Sequence, residues 1–349
     1  MSNRRTAGIR EVAERAGVSM TTVSHALNRN PNARIAEATL RRVENAAREL
    51  GYEPNRIAQN LRAQRSGLIA VLGDTILTTP FAFGLILGAQ ESAIEHGFTL
   101  LMFNTEGDPA TEKHDVETIR KYRVDGVIYA TTYHREVKLP AGLSDTPTVV
   151  ADATTKDETT SWIVPDEYGG ARTAMAELLA AGHTRIGYLS NEDDIPATHM
   201  RLRAYRDALL EAGLSVDDSL VAFGSSDAEG GFRTSWRLLD RPDRPTAVFC
   251  FNDRMAMGVY STAFELGLRI RDDVALVGFD DQEVIASGIY PGLTTVALPH
   301  REMGRWAVHT LVELLDDPGM EPRREIQPCP LVRRQSVAPP NLSNSDLLR

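Results

Sequence analysis

A small set of polar residues has the types and spacing to hold a polar small molecule. Asp74, Asp152, Asn252 and Asp280 stand at the ends of the β-rich runs Leu68 to Leu72, Val149 to Asp152, Ala247 to Asn252 and Val274 to Asp280. Arg201 opens the amphipathic pattern Leu202, Tyr205, Leu209, where it is either a pocket cation or a surface arginine. Carboxylate and amide acceptors facing one guanidinium fork form a hydrogen-bonding set for a ligand. They do not form a catalytic set. The chain has no G-x-G-x-x-G after a strand, no G-x-x-x-x-G-K, no G-x-S-x-G, no H-E-x-x-H and no paired C-x-x-C. The 8 histidines are scattered without a second ligand at helical i, i+4 spacing, and Cys250 and Cys329 lack metal-ligand spacing, so neither metal nor cofactor is expected. Asp253 and Asp281, one step past the strand tips, read as N-caps of the helices that follow. Phe81, Phe83 and Trp162 serve equally well as core, interface or ligand-stacking residues.

The elements that must position these groups follow from the pattern after Gly67. Apolar runs, the four above plus Thr99 to Phe103, Val127 to Ala130, Arg185 to Ser190, Val221 to Phe223 and Thr294 to Leu298, alternate with helical segments. Apolar strands spaced by helices imply parallel sheets covered on both faces, and their ligands bind in the crevice at the carboxyl ends of the strands. Two groups of strands imply two lobes. The 349 residues, 42% hydrophobic and 25% charged, suffice for such a body and a further small domain. Two cysteines are too few for a disulfide framework, the N-terminus carries arginines without an apolar h-region, and no stretch approaches eighteen apolar residues. The expectation is a protein of a reducing cytoplasm, without a membrane partner.

Charge separates a second region. The net charge is −10, yet residues 1–66 hold 12 Arg and 6 Glu, giving +6, so the remainder carries −16. A basic head on an acidic body points to nucleic acid. In the head, Ile9, Val12, Ala13 and Ala16 line one face of a short helix, Gly17 ends it, and Ser19 can cap a second helix whose Val23 and Leu27 face inward. Small Ala13 lets the second helix cross closely, as a helix-turn-helix requires. Ser19, Met20, Thr21, Thr22, Ser24 and His25 then present short polar groups outward, suited to base edges, while Arg29, Arg34 and Arg56 suit phosphates. A third helix, roughly Ala36 to Leu50, closes the head before Gly51. Beyond Pro54, Asn55 can cap a short segment to Arg65 that is too short and polar to hold a helix alone.

The run IREVAERAGVSMTTVSHALN, with RVENAARELGYEPNRIAQNLRAQRSG after it, resembles the DNA-binding head of the lactose/galactose repressor (LacI-type) family. The resemblance implies that the second helix, with Asn28 at its end, enters the major groove. It also implies that the segment after Asn55-Arg56 is a hinge helix folding on DNA, where Leu61 wedges into the minor groove and small Ala58 permits close approach. Two caps depart from the family: Gly8 stands where threonine or serine is usual, and Ala36 replaces a capping serine, each change costing about 1 kcal/mol. The runs RVDGVIYA, VPDEYGGARTAMAELLAAGHTRIGYLS, FNDRMAMGVYSTAFELGLRIRDDVALVGFDD and YPGLTTVALPHREMGRWAV resemble the family's effector-binding body in order and spacing. By resemblance Asp152, Arg201, Asn252 and Asp280 hydrogen-bond the hydroxyls of a sugar or related metabolite. Ser226, His300 and Thr79-Pro80-Phe81 fall where effector specificity varies.

The expected architecture is an N-terminal all-α helix-turn-helix head with a hinge helix, joined to an α/β two-lobed body of two doubly wound parallel sheets, periplasmic-binding-protein-like. The head spans 1–53, the hinge 54–66 and the body 67–340. Lobe 1 is about 67–161 plus 294–321, lobe 2 about 162–293 plus 322–340, and 341–349 form a tail. The function expected is a repressor of double-stranded, pseudo-palindromic operator DNA, released by a carbohydrate effector. An enzyme lacks its motifs, and a sugar-binding protein serving a transporter would need a signal peptide and no basic head. The run Phe81 to Ala93, apolar nearly all round its first turns, calls for a partner, so a homodimer is expected. The tail has no sustained heptads for a terminal coiled coil.

Overall fold

The computed structural model describes residues 7–27, 33–52, 65–76, 79 and 83–341. The chain divides into two compact units, Met1–Ser66 and Gly67–Arg349. The first unit is built from α1 (Ile9–Ala16), α2 (Met20–Leu27) and α3 (Glu37–Leu50). Gly17 ends α1 in the left-handed region at φ 65°, which lets the Val18 N–H close onto the Ala13 carbonyl at 3.0 Å. Ser19 Oγ accepts from the Thr22 N–H at 3.1 Å and so caps α2. The helices bury Val12, Ala13, Ala16, Val23, Ala26, Val43, Ala46 and Ala47 against one another. Gly51, at φ 61°, closes α3. Gly8 offers no side-chain acceptor to α1, but its own N–H donates to the Glu11 carboxylate, which secures the same turn from the other side. Ala36 makes no side-chain cap bond. The hinge expectations, with Asn55, Arg56, Ala58 and Leu61, lie outside the described residues, as do Asn28 and Arg29.

The second unit carries two six-stranded sheets. In the first, β1 (Leu68–Gly73), β2 (Thr99–Asn104), β3 (Gly126–Val137), β4 (Thr148–Thr155), β5 (Ser161–Pro165) and β11 (Arg324–Gln327) run in the order β11-β5-β4-β3-β1-β2, all parallel. In the second, β6 (Ile186–Asn191), β7 (Val221–Gly224), β8 (Ala247–Cys250), β9 (Ala275–Asp280), β10 (Thr294–Ala297) and β12 (Leu331–Val332) run β12-β10-β9-β8-β6-β7, with only the edge strand β12 antiparallel. Ile69, Val71, Ile128, Val149 and Ile163 form the first core, Tyr188, Tyr205, Phe249, Val277 and Phe279 the second. On the first sheet α4 (Phe83–Glu95) packs against α11 (His300–Asp316) with no room to spare: a Cβ on Gly88 would meet the Arg301 carbonyl oxygen at 1.9 Å. Among the described residues no helix is long and apolar enough to cross a membrane.

The lobe limits read from sequence need correction. Ser161–Pro165 and Arg324–Gln327 pair in the first sheet, whereas Thr294–Ala297 lies beside β9 in the second. The chain thus crosses between lobes after Pro165, Ala297 and Gln327. At each crossing a strand finishes in one sheet before the next element joins the other, so the change of lobe falls at the strand's end and not at its start. Trp162 is a β5 residue paired with Arg324, and Phe83 begins α4 with most of its surface exposed.

Candidate functional site

Where the sheets' carboxyl ends meet, a cavity of about 460 Å³ opens, within the range of small-molecule sites. From the first lobe it is walled by Thr79, Thr132, Tyr133, His134 and Asp152. The second lobe presents Arg201, Ser226, Phe251, Asn252, Arg254 and Asp280. The crevice expected from the strand pattern therefore contains Asp152, Arg201, Asn252 and Asp280, and also Ser226, which the family resemblance implied. Phe81 lies outside the described residues.

Arg201 is a buried residue of α7 (Pro196–Glu211), not a surface arginine. Its Nε donates to Glu167 Oε2 at 2.6 Å, its Nη1 donates to the Phe251 carbonyl, and Nη1 stands 3.7 Å from Asp280 Oδ1. The guanidinium lies 3.5 Å from the Phe279 ring centroid and 4.5 Å from that of Phe251, so stacking fixes its plane. Glu167, the first residue of α6 (Glu167–Ala180), is buried beside it and was not singled out from the sequence. A first-turn glutamate reads as an ordinary dipole-favoured acid; only its place just after a lobe crossing distinguishes it. Burial pushes the Asp280 carboxyl up to about 6, against the pull of Arg201 and a hydrogen bond from Gln282.

Asp152 sits at φ 57°, and its backbone carbonyl accepts from Thr131 Oγ1 at 2.7 Å. Its Oδ2 is 3.7 Å from Nε2 of His300, which starts α11 just past the second lobe crossing. Its Oδ1 is buried without a hydrogen-bond partner. Burial holds this carboxyl above its ordinary range, and His300 offsets part of the shift. His300, expected where effector specificity varies, is not on the cavity wall and reaches it through Asp152.

Three sequence readings are corrected here. Asp74 is not on the cavity wall: it accepts from Thr132 Oγ1 and the Thr75 N–H, and pairs with Arg135 at 2.8 Å. The N-cap of α9 (Asp253–Glu265) is Asn252, whose Oδ1 accepts from Met255 N at 2.8 Å while Nδ2 donates to the Ser226 carbonyl at 3.0 Å. Asp253 instead accepts from Thr295 Oγ1 at 2.6 Å and Gln282 N at 2.7 Å, tying α9 to β10 and to the loop after β9. Asp281 pairs with Arg334 at 2.7 Å, and the residue at the cap of the next helix is Gln282, whose side chain makes no capping bond. Strand-end acids were drawn by partners distant in sequence, while the amide at the strand tip took the capping bond.

In the first unit the capping Ser19 and, on α2, Met20 and Thr21 are exposed, with Thr22, Ser24 and His25 half-buried. Thr21, His25 and exposed Arg34 border one open concavity of the head surface. Among the described residues no group of His, Cys, Asp and Glu is placed to hold a metal ion.

Comparison with known proteins agrees with both units. Residues 8–55 match the family of bacterial regulatory proteins described as lacI family, and residues 175–337 match a periplasmic binding protein-like domain. The ribose operon repressor of Escherichia coli (strain K12) is 34% identical over 334 residues, covering 95% of this chain and 100% of that protein. The structure of a transcriptional regulator CelR–cellobiose complex is similar, with a TM-score of 0.68 and 31% identity, over 95% of this chain and 99% of that one. So is the lac repressor dimer bound to operator and the anti-inducer ONPF, with a TM-score of 0.71 and 26% identity, over 96% of this chain and 100% of that one. With a helix-turn-helix head, a two-lobed body and likeness along almost its whole length, the chain belongs to the lacI family of bacterial regulatory proteins and is a DNA-binding transcription regulator, not an enzyme.

Proposed function

We propose that this regulator is a repressor that binds a pseudo-palindromic operator as a homodimer in the bacterial cytoplasm and is released by a neutral carbohydrate held between its lobes. The observation that carries the ligand reading is Asp152: a carboxylate oxygen fully buried at the wall of a cavity walled by both lobes, with no protein partner. A buried acceptor left unpaired is costly, and a ligand hydroxyl supplies the missing donor. Asp280 and the Arg201 fork on the opposite wall suit further hydroxyls, and Phe251 offers a sugar its apolar face. The named relatives, a ribose operon repressor and a cellobiose-bound regulator, support the carbohydrate class. For the dimer, Phe83, Leu87 and Ile94 leave an exposed apolar face on α4, and the lac repressor in its operator complex is a dimer.

In the head, Met20, Thr21 and His25 read base edges while Arg34 holds phosphate, on the strength of their place on the outer half of α2 and beside it. A thermal-shift screen of the full chain against sugars, polyols and nucleobases tests the ligand class. A ligand present at a hundred times its Kd stabilises the folded protein by about 3 kcal/mol. A neutral sugar that raises the melting temperature supports the reading. A response to nucleobases alone, or a monomer by light scattering at micromolar concentration, overturns the corresponding part.

A further inference from the structure

His134 was not among the residues expected to touch a ligand, yet it lines the cavity beside Asp152. Strands β3 and β4 are in parallel register at Ala130 opposite Ala151 and again at Arg135 opposite Ala153. Thr131 to His134 therefore stand against the single residue Asp152, a bulge that brings the two side chains to one place on the wall. Thr131 Oγ1 pins the bulge, donating toward the Asp152 and Tyr133 carbonyls at 2.7 and 3.0 Å. Both side chains are more than nine-tenths buried, and each keeps one polar atom without a partner, Nδ1 on His134 and Oδ1 on Asp152. The other Asp152 oxygen faces His300, so Oδ1 is the buried acceptor that still lacks a donor.

We propose that His134 is a specificity-determining contact, its Nδ1 and Asp152 Oδ1 together holding one hydroxyl of the effector. This rests on the carbohydrate reading above. A hydroxyl meets both needs at once: it donates its proton to the carboxylate oxygen and accepts the imidazole N–H. A ligand without that hydroxyl leaves two buried groups unpaired, which is how a site rejects an analogue more strongly than by shape alone.

The test is calorimetric titration of the full chain with ribose, glucose and cellobiose and with the monodeoxy forms of whichever sugar binds. His134→Phe weakens the sugar by about tenfold or more, whereas one monodeoxy form binds wild type and variant alike. His134→Asn, which restores an amide near the Nδ1 position, recovers most of the affinity and guards against a folding defect. Unchanged sugar affinity in His134→Phe overturns the assignment, as does an equal loss for the sugar and all its monodeoxy forms. A wild-type chain that binds none of the sugars overturns the carbohydrate reading and this contact with it.

Discussion

Replacing Arg201 by alanine removes a cation that the structure places against both Glu167 and Asp280. The side chains of all three are at least nine-tenths buried, at 3%, 3% and 7% exposure, so solvent cannot take over the guanidinium's role. Breaking a buried ion pair from one side costs about 3–5 kcal/mol, because the remaining charge stays out of water. At about 2–4 °C per kcal/mol, the expected fall in melting temperature is on the order of 10 °C. The loss depends on pH. Asp280 already sits near 6 with Arg201 beside it, and without the cation its carboxyl takes up a proton more readily still, so acidification relieves the buried charge. Urea unfolding of wild type, Arg201→Ala and Arg201→Ala with Glu167→Gln measures this at about pH 5 and about pH 7.5. The single variant should be much weaker at the higher pH, the double variant should regain about half of the difference, and the gap should narrow at the lower pH. A single variant within about 1 kcal/mol of wild type at neutral pH, or a loss independent of pH, refutes the buried-pair account.

Asp280→Asn tests the same site from the other partner. A carboxyl whose folded pKa lies above its unfolded value binds its proton more tightly when folded, so its contribution is fully present below about pH 4 and lost as pH rises through about 6. The asparagine variant, fixed in the neutral form, should exceed wild type in stability above pH 6 by up to about 3 kcal/mol and match it near pH 4; a flat difference contradicts the shift. Ser19→Ala removes the α2 cap and should cost the head about 1 kcal/mol, read as weaker operator binding in a gel-shift titration. Substituting Met20, Thr21 or His25 should change which operators are selected from random sequence, while Arg34→Ala weakens all sequences and flattens the salt slope by about one. Selected operators identical across the first three variants remove those residues from base reading.

How much of this was legible in the sequence depended on how local the cause was. The head's turns were readable because Gly17, Ser19 and Gly51 act on bonds within five residues. The crevice was readable because parallel strands collect polar groups at their carboxyl ends, which placed Asp152, Asn252 and Asp280 together with Arg201 from the helix after the fifth strand, while Ser226 followed only from the family resemblance. Asp253 was misread as a cap because its partners, Gln282 and Thr295, lie 29 and 42 residues away. Sheet membership failed for the same reason: Arg324–Gln327 joins a strand more than 150 residues earlier, and four residues carry no signal of which sheet they complete. Glu167 and His134 owe their roles to a lobe crossing and a bulge, features that no residue pattern announces.

The central claim is that occupancy of the body's cavity governs specific binding by the head. Affinities of the full chain for a selected operator and for random DNA, measured side by side at one stated salt concentration, with and without the sugar that raises its melting temperature, test it most directly. The account predicts that the sugar weakens operator binding by about tenfold or more and leaves random-sequence binding almost unchanged, since allosteric coupling of this kind commonly amounts to 1–3 kcal/mol. A sugar that binds the cavity yet leaves operator affinity unchanged, or lowers both affinities equally, contradicts it.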